Sequence, residues 1–264
     1  MNPAEQSGIK ESRREHWETF WDEKQDVQEV YSNADRIVRN LLAVTDLRGK
    51  RILEIGAGTG RDSFPLVERG AVVYQLDYAE NSLRILKRIA VGAGYDVIIL
   101  GGDTFCLPFR DGSFDVVFHQ GLLEHFRRPQ AEALLRENIR VIKSGGYLLV
   151  DVPQRYHLYT LAKHLLIAMN QWFAGWERSF STPELRNIFR SLGLVPVHSY
   201  GEWMMPGFFY RVLREVLKKA GITLPLYLNL KPFSLIRARI RALLLPTILS
   251  RYTGISIGVI GQKR

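Results

Sequence analysis

Cysteine is almost missing from this chain of 264 residues, where Cys106 stands alone. One thiol cannot close an intrachain disulfide or supply a cysteine-rich zinc site, so the fold must be held by packing, as suits a reducing compartment. Long apolar runs are missing too. No stretch reaches the ~18 to 20 consecutive apolar residues that a membrane span requires. Met1 to Arg14 is polar and lacks the apolar core of a secretory leader, so the expected location is the cytoplasm. Acid is missing in one region only. From Gly207 to Arg264 eleven Lys and Arg face a single acid, Glu215. Of the 36 basic and 27 acidic residues, 25 and 26 lie before Gly207, so the whole formal excess of +9 sits in the last 58 residues. What remains, 46% hydrophobic and 24% charged, is the composition of a globular chain able to bury one sizeable core.

The chain is organised around Arg51 to Ser63. Arg51-Ile52-Leu53-Glu54-Ile55 reads as a short strand, followed by glycines at alternate positions: Gly56, Gly58 and Gly60. A helix is expected to start near Gly60 and run toward Arg69, where Gly70 stops it. Strand, glycine turn and helix bring bare backbone against a nucleotide-like ligand. The dinucleotide fingerprint is G-x-G-x-x-G; here the third glycine comes one residue early, which argues against a NAD-dependent oxidoreductase.

Upstream, residues 10 to 45 read as helical, with a second helix over Asn33 to Leu42. His16, Trp17, Phe20 and Trp21 cluster at helical spacing; core packing is the first reading of these aromatics, a substrate lid the second. Downstream, Ala71 to Leu76 is a strand ending in Asp77, followed by a helix from about Ala79 to Val91 and a third strand, Asp96 to Gly101. Phe114 to His119 is a fourth strand, Pro129 to Ile142 a helix, and Ser144-Gly145-Gly146 a turn into a fifth strand, Tyr147 to Val152. Pro153 to Phe180 is rich in Trp, Tyr and Leu. Thr182 is the expected N-cap of the next helix, with Pro183 in its first turn. Leu194 to Ser199 and Ile255 to Ile260 read as two last strands, separated by about fifty inserted residues.

Glu54-x-Gly56-x-Gly58-x-Gly60 resembles motif I of the class I S-adenosylmethionine (SAM) methyltransferases. Asp103-Thr104-Phe105-Cys106-Leu107-Pro108-Phe109-Arg110-Asp111-Gly112-Ser113-Phe114-Asp115-Val116-Val117 resembles the same family's D-x-x-x-L-P-F-x-D-x-S-F-D-x-V run, and the overall pattern is nearest its quinone-biosynthesis group. The resemblance covers roughly Val44 to Ser199 plus the final strand. It implies an α/β fold: a Rossmann-like seven-stranded sheet of order 3-2-1-4-5-7-6, strand 7 antiparallel, with helices on both faces. It implies an N-terminal helical cap over residues 1–45 and a SAM-dependent methyltransferase domain over 46–264 with insertions 153–180 and 201–254.

For the site, the resemblance implies SAM held by Glu54, Gly56, Ala57, Gly58, Gly60, Asp77, Tyr78, Asp103, Thr104, Phe105 and Gln120. Asp77 would accept from the ribose hydroxyls and Asp103 from the adenine amino group. His125 is the candidate base; His119 reads as a residue inside the sheet. Some related quinone O-methyltransferases bind a metal near an acid that is Gly121 here, so no metal is expected. The implied activity is methyl transfer to a small hydrophobic or lipid-like acceptor, in a largely apolar cavity roofed by both insertions, with Trp172 and Trp176 in its wall. The alternative is a SAM-binding regulatory or assembly protein without catalysis. Nucleic acid is disfavoured, because the Asn/Asp-Pro-Pro-Tyr segment of base-methylating relatives is missing and the tail lacks aromatic stacking platforms. Ile236, Ile240, Leu243 and Leu244 share one helical face, with Arg237 and Arg241 on its flank and Pro246 at its end. Segment 207–250 is therefore expected to meet an anionic membrane surface.

Overall fold

A computed structural model describes residues 14–23, 35–203, 207–225 and 231–264. The expected helical start at residues 10–13, the beginning of the second helix at Asn33, and the side chains of Phe208 and Phe233 lie outside the described residues. Seven strands form one sheet: β1 (Arg51–Ile55), β2 (Val72–Asp77), β3 (Val97–Gly101), β4 (Phe114–Gln120), β5 (Ile142–Pro153), β6 (Leu194–Glu202) and β7 (Ser256–Lys263). Their order is β3-β2-β1-β4-β5-β7-β6, as expected. β1 to β5 pair in parallel, and β7 runs antiparallel between β5 and β6. The helices are α1 (Arg14–Glu23), α2 (Asp35–Leu42), α3 (Phe64–Val67), α4 (Glu80–Ala93), α5 (Arg128–Val141), α6 (Leu158–Ala168), α7 (Thr182–Ser191), α8 (Phe208–Lys219), α9 (Lys231–Leu244) and α10 (Ile248–Thr253).

Strand alternation divides the core in two. Leu53, Ile55, Val117, Leu148 and Val150 point to one face and meet Leu134 and Leu135 of α5 and Leu185 and Phe189 of α7. Ile52, Val116, Phe118 and Leu149 point to the other and meet Ile37 and Leu41 of α2. Because both faces are covered, the central strands are apolar throughout instead of alternating with polar residues.

Three local expectations are corrected. The helix after the glycine loop is a single short one, Phe64–Val67. Gly60 sits at φ +69° and its carbonyl accepts from Ser63 and Phe64, so a turn intervenes before the helix begins. The turn at Ser144-Gly145-Gly146 is a bulge inside β5: Ile142 lies opposite Phe114, but Tyr147 already lies opposite Val116. The N-cap of α7 is Ser181 and not Thr182, because Ser181 and Glu184 form a reciprocal capping box.

Candidate functional site

The carboxyl ends of β1, β2 and β4 converge on one cavity of about 780 Å³. At the end of β1 the chain turns through Gly56 (φ +67°) and Gly58 (φ +56°), backbone that costs an L side chain roughly 1–2 kcal/mol. The loop is tied to β2. Gly56 and Ala57 N–H donate to the Leu76 carbonyl at 2.8 and 3.1 Å, and Gly58 N–H donates to Asp77 Oδ2 at 2.8 Å. Asp77 Oδ1 accepts from Ala79 N–H at 3.0 Å. Asp77 itself lines the cavity. Burial pushes its pKa up, against these donors.

Glu54, Gly56, Ala57, Gly58, Asp77, Tyr78, Asp103, Thr104, Phe105, Gln120 and His125 all line this cavity. Gly60 does not. A Cβ there would lie 2.5 Å from Gln75 Nε2 and 2.6 Å from the Phe64 ring, so this glycine serves packing under the loop. Four buried polar atoms of lining residues have no hydrogen-bond partner: Glu54 Oε2, Arg61 Nη1, Thr104 Oγ1 and His125 Nδ1. Burial, then the charge of Asp62, hold Glu54 well above the ordinary carboxylate range.

The aromatics of α1 overturn the core-packing expectation. Trp17, Phe20 and Trp21 are half-buried and line the cavity as its roof. A Cβ on Gly58 would lie 2.7 Å from the Trp21 ring. The roof is latched by Glu18, whose carboxylate accepts from the Glu80 and Asn81 N–H groups at the start of α4, at 2.9 and 3.1 Å. Those donors are orphans of the helix end, so the latch also caps α4. No spacing rule in the sequence pairs residue 18 with residue 80; only the fold does.

A second cavity, about 390 Å³, adjoins the first and shares Trp17, Phe20, Gln120, Gly121 and His125 with it. Tyr159, Trp172 and Phe173 from the first insertion form an aromatic wall, while Arg211 of α8 is contributed by the second insertion. The wall is less apolar than expected. Glu124, His125, Asp151 and Glu177 also line it. Trp176 lies away from this cavity, under the Arg127 guanidinium at 3.7 Å, which corrects its expected place.

The polar side of the second cavity is organised around Glu177. Its Oε2 accepts from Lys163 Nζ at 2.8 Å and its Oε1 from Trp172 Nε1 at 2.8 Å; His125 Nδ1 lies 3.8 Å from Oε1. Burial opposes ionisation of Glu177, but His125 and Lys163 outweigh it and hold the carboxyl below its usual pKa. The adjacent Glu124 is pushed up to about 8, by burial and then by the charge of Glu177. Burial holds His125 below its usual value against the pull of Glu177. His119, inside the sheet as expected, is driven down to about 3 by burial. Glu124 and Glu177 were missed by sequence reading. Glu124 is visible as the residue before His125, but Glu177 stands 52 residues beyond His125 in an irregular loop. Among the described residues no cluster of three His, Cys, Asp or Glu side chains could hold a metal ion.

The family profile of the methyltransferase domain matches residues 53–150, from β1 through the glycine loop to β5. The chain is also similar to named enzymes over part of its length. A demethylmenaquinone methyltransferase of Renibacterium salmoninarum is 37% identical over 108 residues, 41% of this chain and 43% of that protein. A ubiquinone biosynthesis O-methyltransferase of Neisseria meningitidis is 30% identical over 162 residues, 56% of this chain and 65% of that protein. The chain thus spans less than half the length of the demethylmenaquinone methyltransferase and about two thirds of the ubiquinone one. In fold, it is similar to a SAM-dependent methyltransferase of Thermotoga maritima, described as a possible histamine N-methyltransferase (TM-score 0.60, 20% identity, 96% of this chain and 100% of that one). It is also similar to the magnesium protoporphyrin IX methyltransferase of Synechocystis with bound SAH (TM-score 0.57, 16% identity, 100% and 88%).

Proposed function

We propose that this chain is a SAM-dependent methyltransferase acting on a small acceptor with an aromatic-compatible, apolar body. One observation carries the reading: a single cavity brings together the glycine loop, Asp77, Asp103 and Phe105, and opens at Gln120, Gly121 and His125 onto a second, aromatic-walled cavity. The residues fit the cofactor. Asp77 lines the cavity with its carboxylate, Glu54 Oε2 and Thr104 Oγ1 have no partner within the chain, and Gly58 lets the Trp21 ring of the roof lie directly on the loop. SAM supplies an activated methyl on a sulfonium, so the work of these residues is to fix two reactants in line. Positioning of that kind is worth on the order of 7–11 kcal/mol.

His125, at the junction of the cavities, is the proposed general base for a hydroxyl or amine acceptor. A neutral imidazole is the form that can take a proton, and Glu177 beside it favours the imidazolium that results. Residues 1–45 are read as a cap and 46–264 as the catalytic domain with its two insertions. No partner in nucleic acid is proposed.

The basic tail is read as a membrane-facing surface of a cytoplasmic enzyme. Phe209, Val212, Leu213 and Val216 on α8, and Leu235, Ile236, Ile240 and Leu243 on α9, are exposed at helical spacing beside Arg and Lys. No described helix is long and apolar enough to cross a membrane. Each cation near an anionic leaflet contributes about 1 kcal/mol. Calorimetry with SAM tests the cofactor: the wild type should bind, and Asp77→Ala and Gly58→Val should lose most of the affinity. Methyl-labelled SAM incubated with cell extract then identifies the acceptor; SAM binding with no labelled product would favour the non-catalytic alternative. Co-sedimentation with anionic vesicles, fading with salt, tests the tail; a protein that stays in the supernatant at low salt would refute the membrane reading.

A further inference from the structure

Away from both cavities, one face of α7 lies opposite α10 across a small cleft of about 190 Å³. Arg186, Arg190 and Arg251 line it, with Thr182, Asn187 and Tyr252, and no carboxylate does. Among the described residues none of the three arginines makes an ion pair. Arg186 donates to Ser199 Oγ at 3.0 Å and Arg190 to Asn187 Oδ1 at 2.9 Å, both neutral acceptors. Elsewhere the chain neutralises its interior-facing arginines: Arg36 lies against Asp151 and Asp62, and Arg140 holds Glu137 and Asp111. Here three cations converge with nothing opposite. The effect registers on Arg186, whose guanidinium is made more acidic by burial and then by Arg190 and Arg251.

A second observation lies in the wall of the same cleft. Thr182 is 93% buried, being 7% exposed, and its Oγ1 has no hydrogen-bond partner. Its hydroxyl is spare because Ser181 caps α7 in its place. An unsatisfied buried hydroxyl costs about 1–3 kcal/mol unless something accepts from it or donates to it. The walls are fixed. Gln154 Nε2 donates to the carbonyls of Arg251 and Tyr252 at 3.2 and 3.1 Å, and α10 lies so close to β6 that a Cβ on Gly201 would meet the Ser250 carbonyl at 1.9 Å. Three guanidinium forks and a hydroxyl on one wall are the recognition chemistry of a tetrahedral oxyanion, whose several oxygens accept paired N–H bonds. A carboxylate has two oxygens in one plane and would leave one of the three forks idle.

We propose that the α7–α10 cleft is a binding site for a phosphoryl group, held by Arg186, Arg190 and Arg251 with the Thr182 hydroxyl. The group can belong to a lipid headgroup or to a free phosphate. Ile248 and Leu249 of α10 are exposed beside the cleft, as a headgroup at a lipid surface would have them. The site shares no lining residue with the two cavities of the methyl-transfer reading and does not depend on that reading.

The test uses the full chain in three forms: wild type, Arg186→Gln/Arg251→Gln, and Lys87→Gln/Arg88→Gln on α4 as a charge-matched control. Thermal unfolding checks that each is folded, and Arg190→Gln, on an exposed side chain, serves if the cleft double variant is not. Inorganic phosphate is titrated by calorimetry at low ionic strength, and each form is sedimented with phosphatidylcholine vesicles with and without phosphatidate. Saturable phosphate binding by wild type and control, at least tenfold weaker in the cleft variant, supports the site. If phosphatidate vesicles bind wild type and control but release the cleft variant, and free phosphate competes poorly, the source is a lipid headgroup. If vesicle binding ignores the cleft variant while free phosphate binding needs the arginines, the source is soluble. Phosphate and phosphatidate binding that are both equal in the cleft variant and wild type, or reduced alike in the control, overturn the proposal.

Discussion

Removing the Glu18 carboxylate should unlatch the roof of the cofactor cavity. In Glu18→Ala the Glu80 and Asn81 N–H groups lose their acceptor and turn to water, while α1 loses its charged tie to α4. Loss of an N-terminal cap costs about 0.5–2 kcal/mol. Glu18 is 27% exposed, so solvent moderates the effect toward the lower part of that range. The Asn81 Nδ2 bond to the Glu18 carbonyl, 3.0 Å, survives the substitution and keeps the loss from being complete. If the full cap energy acts on the closed roof, SAM should leave roughly 2- to 30-fold faster. Trp17 and Trp21 stand in the roof, so stopped-flow tryptophan fluorescence after dilution of the loaded protein reads the release rate. Glu15→Ala, on an exposed position of the same helix, is the control. Burial opposes ionisation of Glu18, but its hydrogen bonds from Glu80 and Asn81 and the hydrogen bond and charge of Arg14 together hold its pKa below the usual value. The latch is therefore present above the ordinary Glu pKa and lost only as pH falls through the depressed value, so release should be flat across neutral pH. Identical release from Glu18→Ala and wild type would refute the latch.

Trp172→Ala should impair methyl transfer far more than SAM binding, because Trp172 both walls the second cavity and donates to Glu177, whereas Trp176→Ala should change turnover little; a product assay beside calorimetry separates them. Lys163→Met strands the buried Glu177 carboxylate and should destabilise the chain by about 3–5 kcal/mol in denaturant titration. Glu124 has its pKa raised to about 8, so between the ordinary Glu value and 8 the folded form holds a proton that the unfolded form has lost, and stability falls as pH rises. Glu124→Gln should remove that slope, which thermal melts at pH 5 and pH 8 would detect.

The strand order was legible because the glycine loop, the acid ending β2 and the run around Asp103 are contiguous signals, each spelled out within a few residues. All the cofactor-side residues named from sequence except Gly60 reached one cavity for the same reason. What stayed hidden depends on contacts between distant segments. Glu18 finds α4 across 62 positions, and Glu177 finds His125 and Lys163 from an irregular loop. The helical spacing of Trp17, Phe20 and Trp21 specifies a face but not what it covers, so a roof read as a core. The α7 cap was misplaced by one residue because Ser181 and Thr182 are chemically equivalent caps, and only the reach of Glu184 to Ser181 distinguishes them.

Trp17 and Phe20 border both cavities, whereas Tyr159, Trp172 and Phe173 border only the second. A change of acceptor made through α1 therefore reshapes the cofactor's enclosure as well, and any gain in one pocket is entangled with a loss in the other. On the proposed reading, a change at Tyr159 or Trp172 of the 153–180 insertion borders the acceptor side alone, whereas Phe173 stacks on Phe20 at 5.3 Å and passes its changes to the roof. New acceptor chemistries, whether by drift or by design, have their freest path through that insertion, with α1 left as the part that can least afford to vary.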